Sequence, residues 1–191
     1  MSDANPKSVG SLVRRPLLAA ALAAGAVASM PGTAAAVDIF LLLDGVAGEV
    51  TEKGHKNWIK LDSYSVGFDS GGVRRTPGGA SAGKPACSVL EATKAFDSSS
   101  PLLMTAVMTG KQFQKAEIHF LRTGTEAGAA VFLKYELQDV ILSSLGDSGG
   151  SGDGAPTESL SLNFGKAIVT YYGQNEKGVI APVSTATVSC P

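Results

Sequence analysis

Cysteine, histidine and tryptophan are nearly missing from this chain: two, two and one in 191 residues. Cys87 and Cys190 fall in no C-x-x-C or Cys/His spacing, so no metal centre is expected. Whether the two pair with each other depends on their α-carbon separation, which the sequence leaves open, and Cys87 also fits a buried strand position. His55 lies in the polar stretch T-E-K-G-H-K-N and reads as a solvated loop histidine. His119 reads as an exposed strand residue. Excess charge of either sign is lacking as well, the formal net charge being −1. With no basic patch and no aromatic–basic interleaving, nucleic acid is excluded as a partner class. The one long apolar run, from Leu17 to Met30, is about 14 residues, short of the roughly 20 that span a bilayer, so no stable membrane span is expected. Paired carboxylates and phosphate-binding glycine loops are also absent. No catalytic residue, metal or other cofactor is therefore assigned, and the chain is read as a non-enzyme.

Glycine, by contrast, is plentiful, with 23 residues. That suits a β-rich chain with glycine-bearing turns. Residues 1–36 have the layout of an export signal: Arg14-Arg15, then the Ala/Gly-rich run, then the A-x-A cleavage pattern at Ala34 and Ala36. The paired arginines resemble a twin-arginine signal, with Sec export and a disordered extension as the other readings.

Beyond residue 36, period-two alternation dominates. Val37 to Leu43 is an apolar strand, turned by Asp44-Gly45 and returning over Val46–Val50. In Trp58 to Asp69, Tyr64, Val66 and Phe68 point inward while Ser63 and Ser65 stay accessible. Ser70 to Ala86 is a long loop with few large apolar residues. Cys87 to Phe96 is a strand with Leu90, Ala92 and Phe96 on one face. One helix follows, with Ser100 as N-cap, Pro101 at its first position and Gly110 as its stop. Leu103, Met104, Val107 and Met108 form its core stripe. Ala116–Thr123 sends Ile118 and Phe120 inward. Val131–Leu142 sends Leu133, Tyr135, Leu137 and Ile141 inward. Leu145–Pro156 is a loop. Glu158–Tyr172, with Leu160, Leu162 and Phe164 on one face and a bend at Gly165, is the strand that ties the molecule together. The predicted fold is mainly β: a small antiparallel barrel or two-sheet sandwich with one short α-helix.

The stretch E-S-L-S-L-N-F-x-K-x-x-V-x-Y at Glu158–Tyr171 resembles the closing strand of the haemolysin-coregulated protein (Hcp) family, the tube subunits of bacterial type VI secretion. Val37–Glu49, Tyr64–Phe68 and Ser100–Arg122 resemble that family in the same order. The resemblance implies a ring-forming homo-oligomer, a hexamer related to phage tail tubes, that carries effector proteins in its lumen alongside other secretion-system components. It implies that the small polar face around Ser65 and Ser63 lines the lumen. It also implies that the loop bearing Arg74 and Arg75 reaches a neighbouring subunit, unless that loop is a solvated basic tip. The domain then spans residues 37–174, with residues 175–191 a flexible tail. Family members are loaded from the cytoplasm without a signal. A used signal would instead make this chain a free-standing ring, secreted to the periplasm or beyond and binding a partner through lumen or rim.

Two motifs suggest hydrolysis. G-D-S-G-G at 146–150 matches the nucleophile motif of trypsin-like proteases, but neither His55 nor His119 lies in the context such a base requires. G-A-S-A-G at 79–83 fits G-x-S-x-G without a preceding strand or a following helix. A secreted serine hydrolase using Ser148 is the remote alternative.

Overall fold

The computed structural model describes residues 36–76, 79–125, 128–152, 154–174 and 180–190. Among them no helix is long and apolar enough to cross a membrane. Strand β1 (Val37–Leu43) buries Phe40, Leu41 and Leu43. Gly45, at φ 72°, makes the turn after it. The return expected over Val46–Val50 is only a single bridge from Leu43 to Val46. The chain loops out to Trp58 before β2 (Ile59–Leu61) pairs with β1. The segment read as one strand to Asp69 then breaks into β3 (Ser63–Ser65) and β4 (Phe68–Asp69).

The long loop expected over Ser70–Ala86 is instead mostly paired. β5 (Val73–Thr76) and β6 (Gly79–Ala82) form a hairpin of their own, and β7 (Ala86–Cys87) pairs with β4. After β8 (Leu90–Ala95) comes α1 (Ser100–Thr109), the one helix among the described residues, ended by Gly110 in the left-handed conformation. Its cap is Ser99, one residue before the expected one. It buries Ser100, Leu103 and Ala106 against the sheet. Met104 and Met108, expected in the core, face out, Met108 being 85% exposed.

Four longer strands follow: β9 (Gln112–Thr125), β10 (Gly128–Ser148), β11 (Thr157–Asn163) and β12 (Lys166–Gln174). A final strand, β13 (Ile180–Ser189), pairs with β12. The flexible tail expected after Gln174 is corrected by that strand. The main sheet runs β2-β1-β9-β10-β11-β8-β3 and is antiparallel throughout. Its two ends, β2 and β3, are consecutive in the chain, separated by Asp62, whose amide donates to Thr93 O at 2.8 Å. The sheet therefore curls until its ends meet in one stretch of chain.

β11 and β12 run along the same side of β10, in one unbroken register from Leu162 through Gly165 to Tyr171, with a shift at Leu142/Ser144 before it. Glu158–Tyr172 thus acts as the single tying strand its sequence suggests. It meets β8 with its first half and β13 with its second. At Gly165 the sheet turns over. On three neighbouring strands the buried positions fall three apart instead of two: Phe113 and Ala116, Leu137 and Val140, Phe164 and Ala167. Asp139, at φ 55°, sits in the middle of this line. A side chain at 165 would press on its Cβ at 3.3 Å. That turnover is why Val140 and Leu142 are buried while Ile141, expected inward, is 38% exposed. Ile118 and Phe120 do point inward, and Leu121, out of phase with them, is buried as well.

Candidate functional site

Strands β3, β8, β11 and the C-terminal part of β10 lie side by side, and their outer faces carry hydroxyls in register. Ser63 stands opposite Thr93, Thr93 opposite Ser159, and Ser159 opposite Gly146. In the adjacent row Ser65 faces Glu91, Glu91 faces Ser161, and Ser161 faces Ser144. Strict alternation makes this face, because the residues between are buried: Leu90, Ala92 and Lys94 on β8, and Glu158, Leu160 and Leu162 on β11. Ser63 Oγ and Thr93 Oγ1 are 2.6 Å apart, and Ser144 Oγ donates to Ser161 Oγ at 2.8 Å. A shallow cavity of about 290 Å³ opens over Ser63, Ser65, Glu91, Thr93, Ser159 and Ser161. Glu91 is the one charge in these two rows. Hydroxyls that already pair with one another exchange those bonds for a partner's at little net gain.

Beneath it lies a buried ionic knot that no sequence motif marks. Lys94, fully buried, uses all three ammonium protons: on Glu158 Oε2 at 2.5 Å, Asp97 Oδ1 at 2.9 Å and Ser100 Oγ at 3.0 Å. Ser100 Oγ also donates to Glu158 Oε2 and accepts from the Asp97 amide. Burial works against the Asp97 carboxylate. The Ser99 hydroxyl and amide and the Lys94 ammonium outweigh it and hold Asp97 below the ordinary carboxylate value. This knot fastens the start of α1 to β8 and β11, and so fixes the strands that present the hydroxyl rows.

Residues 40–171 match the family model described as type VI secretion system effector, Hcp. Protein Hcp1 of Pseudomonas aeruginosa is 34% identical over 143 residues, covering 75% of this chain and 88% of its own length. The chain belongs to the Hcp family. A solved type six secretion system protein superimposes with a TM-score of 0.72 at 28% identity, over 81% of this chain and 96% of its own. Hcp1 from Salmonella typhimurium does so at 0.64 and 27%, over 81% and 95%. Hcp membership supports a ring or tube protein of type VI secretion.

In this Hcp chain the predicted Ser63 and Ser65 are both exposed on β3 and head the two hydroxyl rows. Their neighbours Thr93, Ser159, Ser161 and Ser144 were missed, because the alternation of each strand is visible but not which strands lie together. The inward aromatic face expected beside them is only partly realised. Tyr64 packs edge-on against Phe120 at 4.5 Å yet is 36% exposed, and Phe68 is 45% exposed. Arg74 and Arg75 fall in β5, opposite Ser81 and Ala80 in the hairpin. Arg14, Arg15 and Ala34 lie outside the described residues; Ala36 directly precedes β1. Cys87 and Cys190 form a disulfide, their α-carbons 5.5 Å apart. The exposed Ser148 Oγ donates to Thr157 O at 3.4 Å. The 79–83 motif opens on β6, with no helix following it directly.

Both histidine expectations are corrected. His55 is buried, 6% exposed. Its ring lies 5.2 Å from Phe40, 4.7 Å from Trp58 and 5.0 Å from His119. The loop that carries it folds back over the outer face of β1 and β9, where Phe40 would otherwise meet water. His119 lies in this cluster, half-buried, and its proton affinity is lowered to a pKa of about 4. Burial is the main cause, followed by His55 and Lys134, with Glu117 opposing. Burial alone would raise the Glu117 pKa, but Lys115 and Lys134 bring it down to about 2. The histidines are 64 positions apart, and no spacing rule connects them.

Proposed function

We propose that this chain is a non-enzymatic subunit that closes with identical copies into a ring, six by resemblance, whose stacked rings conduct effector proteins. The observation that carries this reading is the double row of hydroxyls across β3, β8, β11 and β10, which contains Ser63 and Ser65 and would line the lumen. Replacing Ser65 or Ser161 by Arg plants a bulky side chain there, directly opposite Glu91. Cargo co-purifying with the ring is expected to fall roughly tenfold or more while annular particles persist in electron micrographs. Cargo retained at full level on intact rings would exclude this face.

The β5–β6 hairpin is the proposed subunit contact, through Arg74 and Arg75. Reversing both charges to Glu is expected to weaken assembly roughly tenfold, measured by light scattering against protein concentration. An unchanged assembly curve removes the hairpin from the interface.

A second reading, an exported free-standing ring that binds a partner through its lumen or rim, is favoured by the Cys87–Cys190 bond. Disulfides form and persist in oxidising compartments and are rare in reducing ones. The hydrolase alternative has no supporting observation: His55 and His119 bond to each other and to glutamates, and Ser148 bonds to a backbone carbonyl.

A further inference from the structure

We propose that Glu52, His55, His119 and Glu117 form a proton-operated latch that holds the 48–58 loop on the outer face of β1 and β9 and releases it in acid. The four side chains make one hydrogen-bonded line. Glu52 Oε2 lies 2.6 Å from His55 Nδ1, His55 Nε2 lies 2.8 Å from His119 Nδ1, and His119 Nε2 lies 3.2 Å from Glu117 Oε2. Proton counting gives this line its behaviour. The end carboxylates only accept, so each outer nitrogen bonds when it carries a proton, and the central N···N contact requires one proton and no more.

Three protons on the two rings satisfy every bond, with one positive charge shared between two glutamates. Two protons leave both rings neutral. They keep the short bonds, Glu52 to His55 and His55 to His119, and give up only the 3.2 Å bond to Glu117, which still has its lysines. A fourth proton sets N–H against N–H across 2.8 Å and places two imidazoliums side by side. The latch therefore tolerates neutral and singly charged states and fails at the fourth proton.

The surroundings oppose that proton. Lys134 from β10 reaches Glu117 Oε2 at 2.7 Å, and Lys115 from β9 reaches Glu117 Oε1 at 2.9 Å. Glu136 of β10 lies 3.4 Å from Lys115 and 3.5 Å from Lys134. On the β1 side, Asp38 pairs with Lys60 of β2 at 3.3 Å. Glu117 stays ionised until about pH 2 and takes up no proton in the window where His119 does. The sign follows. His119 holds its second proton less well in the native protein than in the unfolded chain, about 4 against 6.5. Its contribution is complete above pH 6.5 and is lost as the pH falls toward 4.

What the latch holds is defined by the loop's own bonds. Gly48 N donates to Asn57 O, Val50 N to Trp58 O and Asn57 N to Val50 O, so the segment moves as a unit when its anchor goes. Trp58, the single tryptophan, reports on it, with its ring 4.6 Å from that of His119. Trp58 fluorescence of the full chain, titrated from pH 7.5 to 3.5, should show one reversible transition with its midpoint between pH 6.5 and 4 and unchanged far-ultraviolet circular dichroism. His119→Gln, whose amide still meets His55 but does not titrate, should abolish it or displace it by about one pH unit or more, roughly tenfold in proton concentration. No transition in the wild type, or the same midpoint in His119→Gln, overturns the proposal. Should that variant fail to fold, ring-proton NMR of the wild type decides. Two coupled midpoints well apart support the latch, and two independent titrations near the ordinary histidine value overturn it.

Discussion

Cys87→Ser protein is expected to unfold with about 3–5 kcal/mol less stability than the oxidised wild type, a melting temperature lower by roughly 10–15 °C. The bond spans 103 positions, so removing it frees a long closed loop in the unfolded chain. The native state also leans on it. β13 has exposed side chains at every position except Val188, and so brings almost no apolar burial of its own. It is held by its backbone ladder to β12, by the Cys190 amide on Gly165 O at 2.8 Å, and by the disulfide. Hydrogen exchange should accordingly quicken first along β12 and β13. A melting temperature within 2 °C of wild type, measured without reductant, would show that the ladder suffices alone. The same bond bears on compartment. Exported native protein should have no free thiol and begin at Val37, whereas cytoplasmic material should retain both thiols and its N-terminal residues.

Lys94→Met should cost about 3–5 kcal/mol, because it leaves the Glu158 carboxylate buried with Ser100 as its remaining donor. The loss should appear as a lower urea midpoint with an unchanged slope. Glu158→Leu should be less harmful, because the Lys94 ammonium keeps the Asp97 carboxylate and Ser100 as partners. The double variant, Lys94→Met with Glu158→Leu, should recover at least half of the Lys94→Met loss, since two apolar side chains of similar size fill the site and Asp97, which loses its cation, keeps the Ser99 amide and hydroxyl. Strictly additive losses would mean that packing, not charge pairing, sets the cost. Glu158 Oε1 has no hydrogen-bond partner among the described residues, which makes the knot a device for fixing α1 against β8 and β11 at some expense in stability.

Much of this architecture was legible in the chain itself. Alternation marks most strands, Pro101 and Gly110 bracket the helix, and the run from Glu158 to Tyr172 behaves as one strand along β10. Even the ionic knot left a trace. Lys94 falls in phase with Leu90 and Ala92, and Glu158 in phase with Leu160 and Leu162, so alternation alone turns both charges inward. What misled was parity carried too far. Phe96 continues the phase of β8, but the strand ends at Ala95. Ile141 continues the phase of β10, but the sheet turns over at Asp139. Met104 and Met108 sit at helical spacing, yet α1 approaches the sheet on its Ser100–Leu103–Ala106 stripe.

Local pattern by itself marked most of the long strands, the helix and the small hydroxyl face of β3, because side-chain direction repeats every two or 3.6 residues and needs no knowledge of neighbours. Only the tertiary structure decided which strands lie side by side, and so which serines share a row. It also decided that Cys190 returns to Cys87 and that His55 closes on His119 from 64 positions away. Contacts at such range depend on how the sheet curls and where its ends meet, and no short-range period in a sequence encodes that closure.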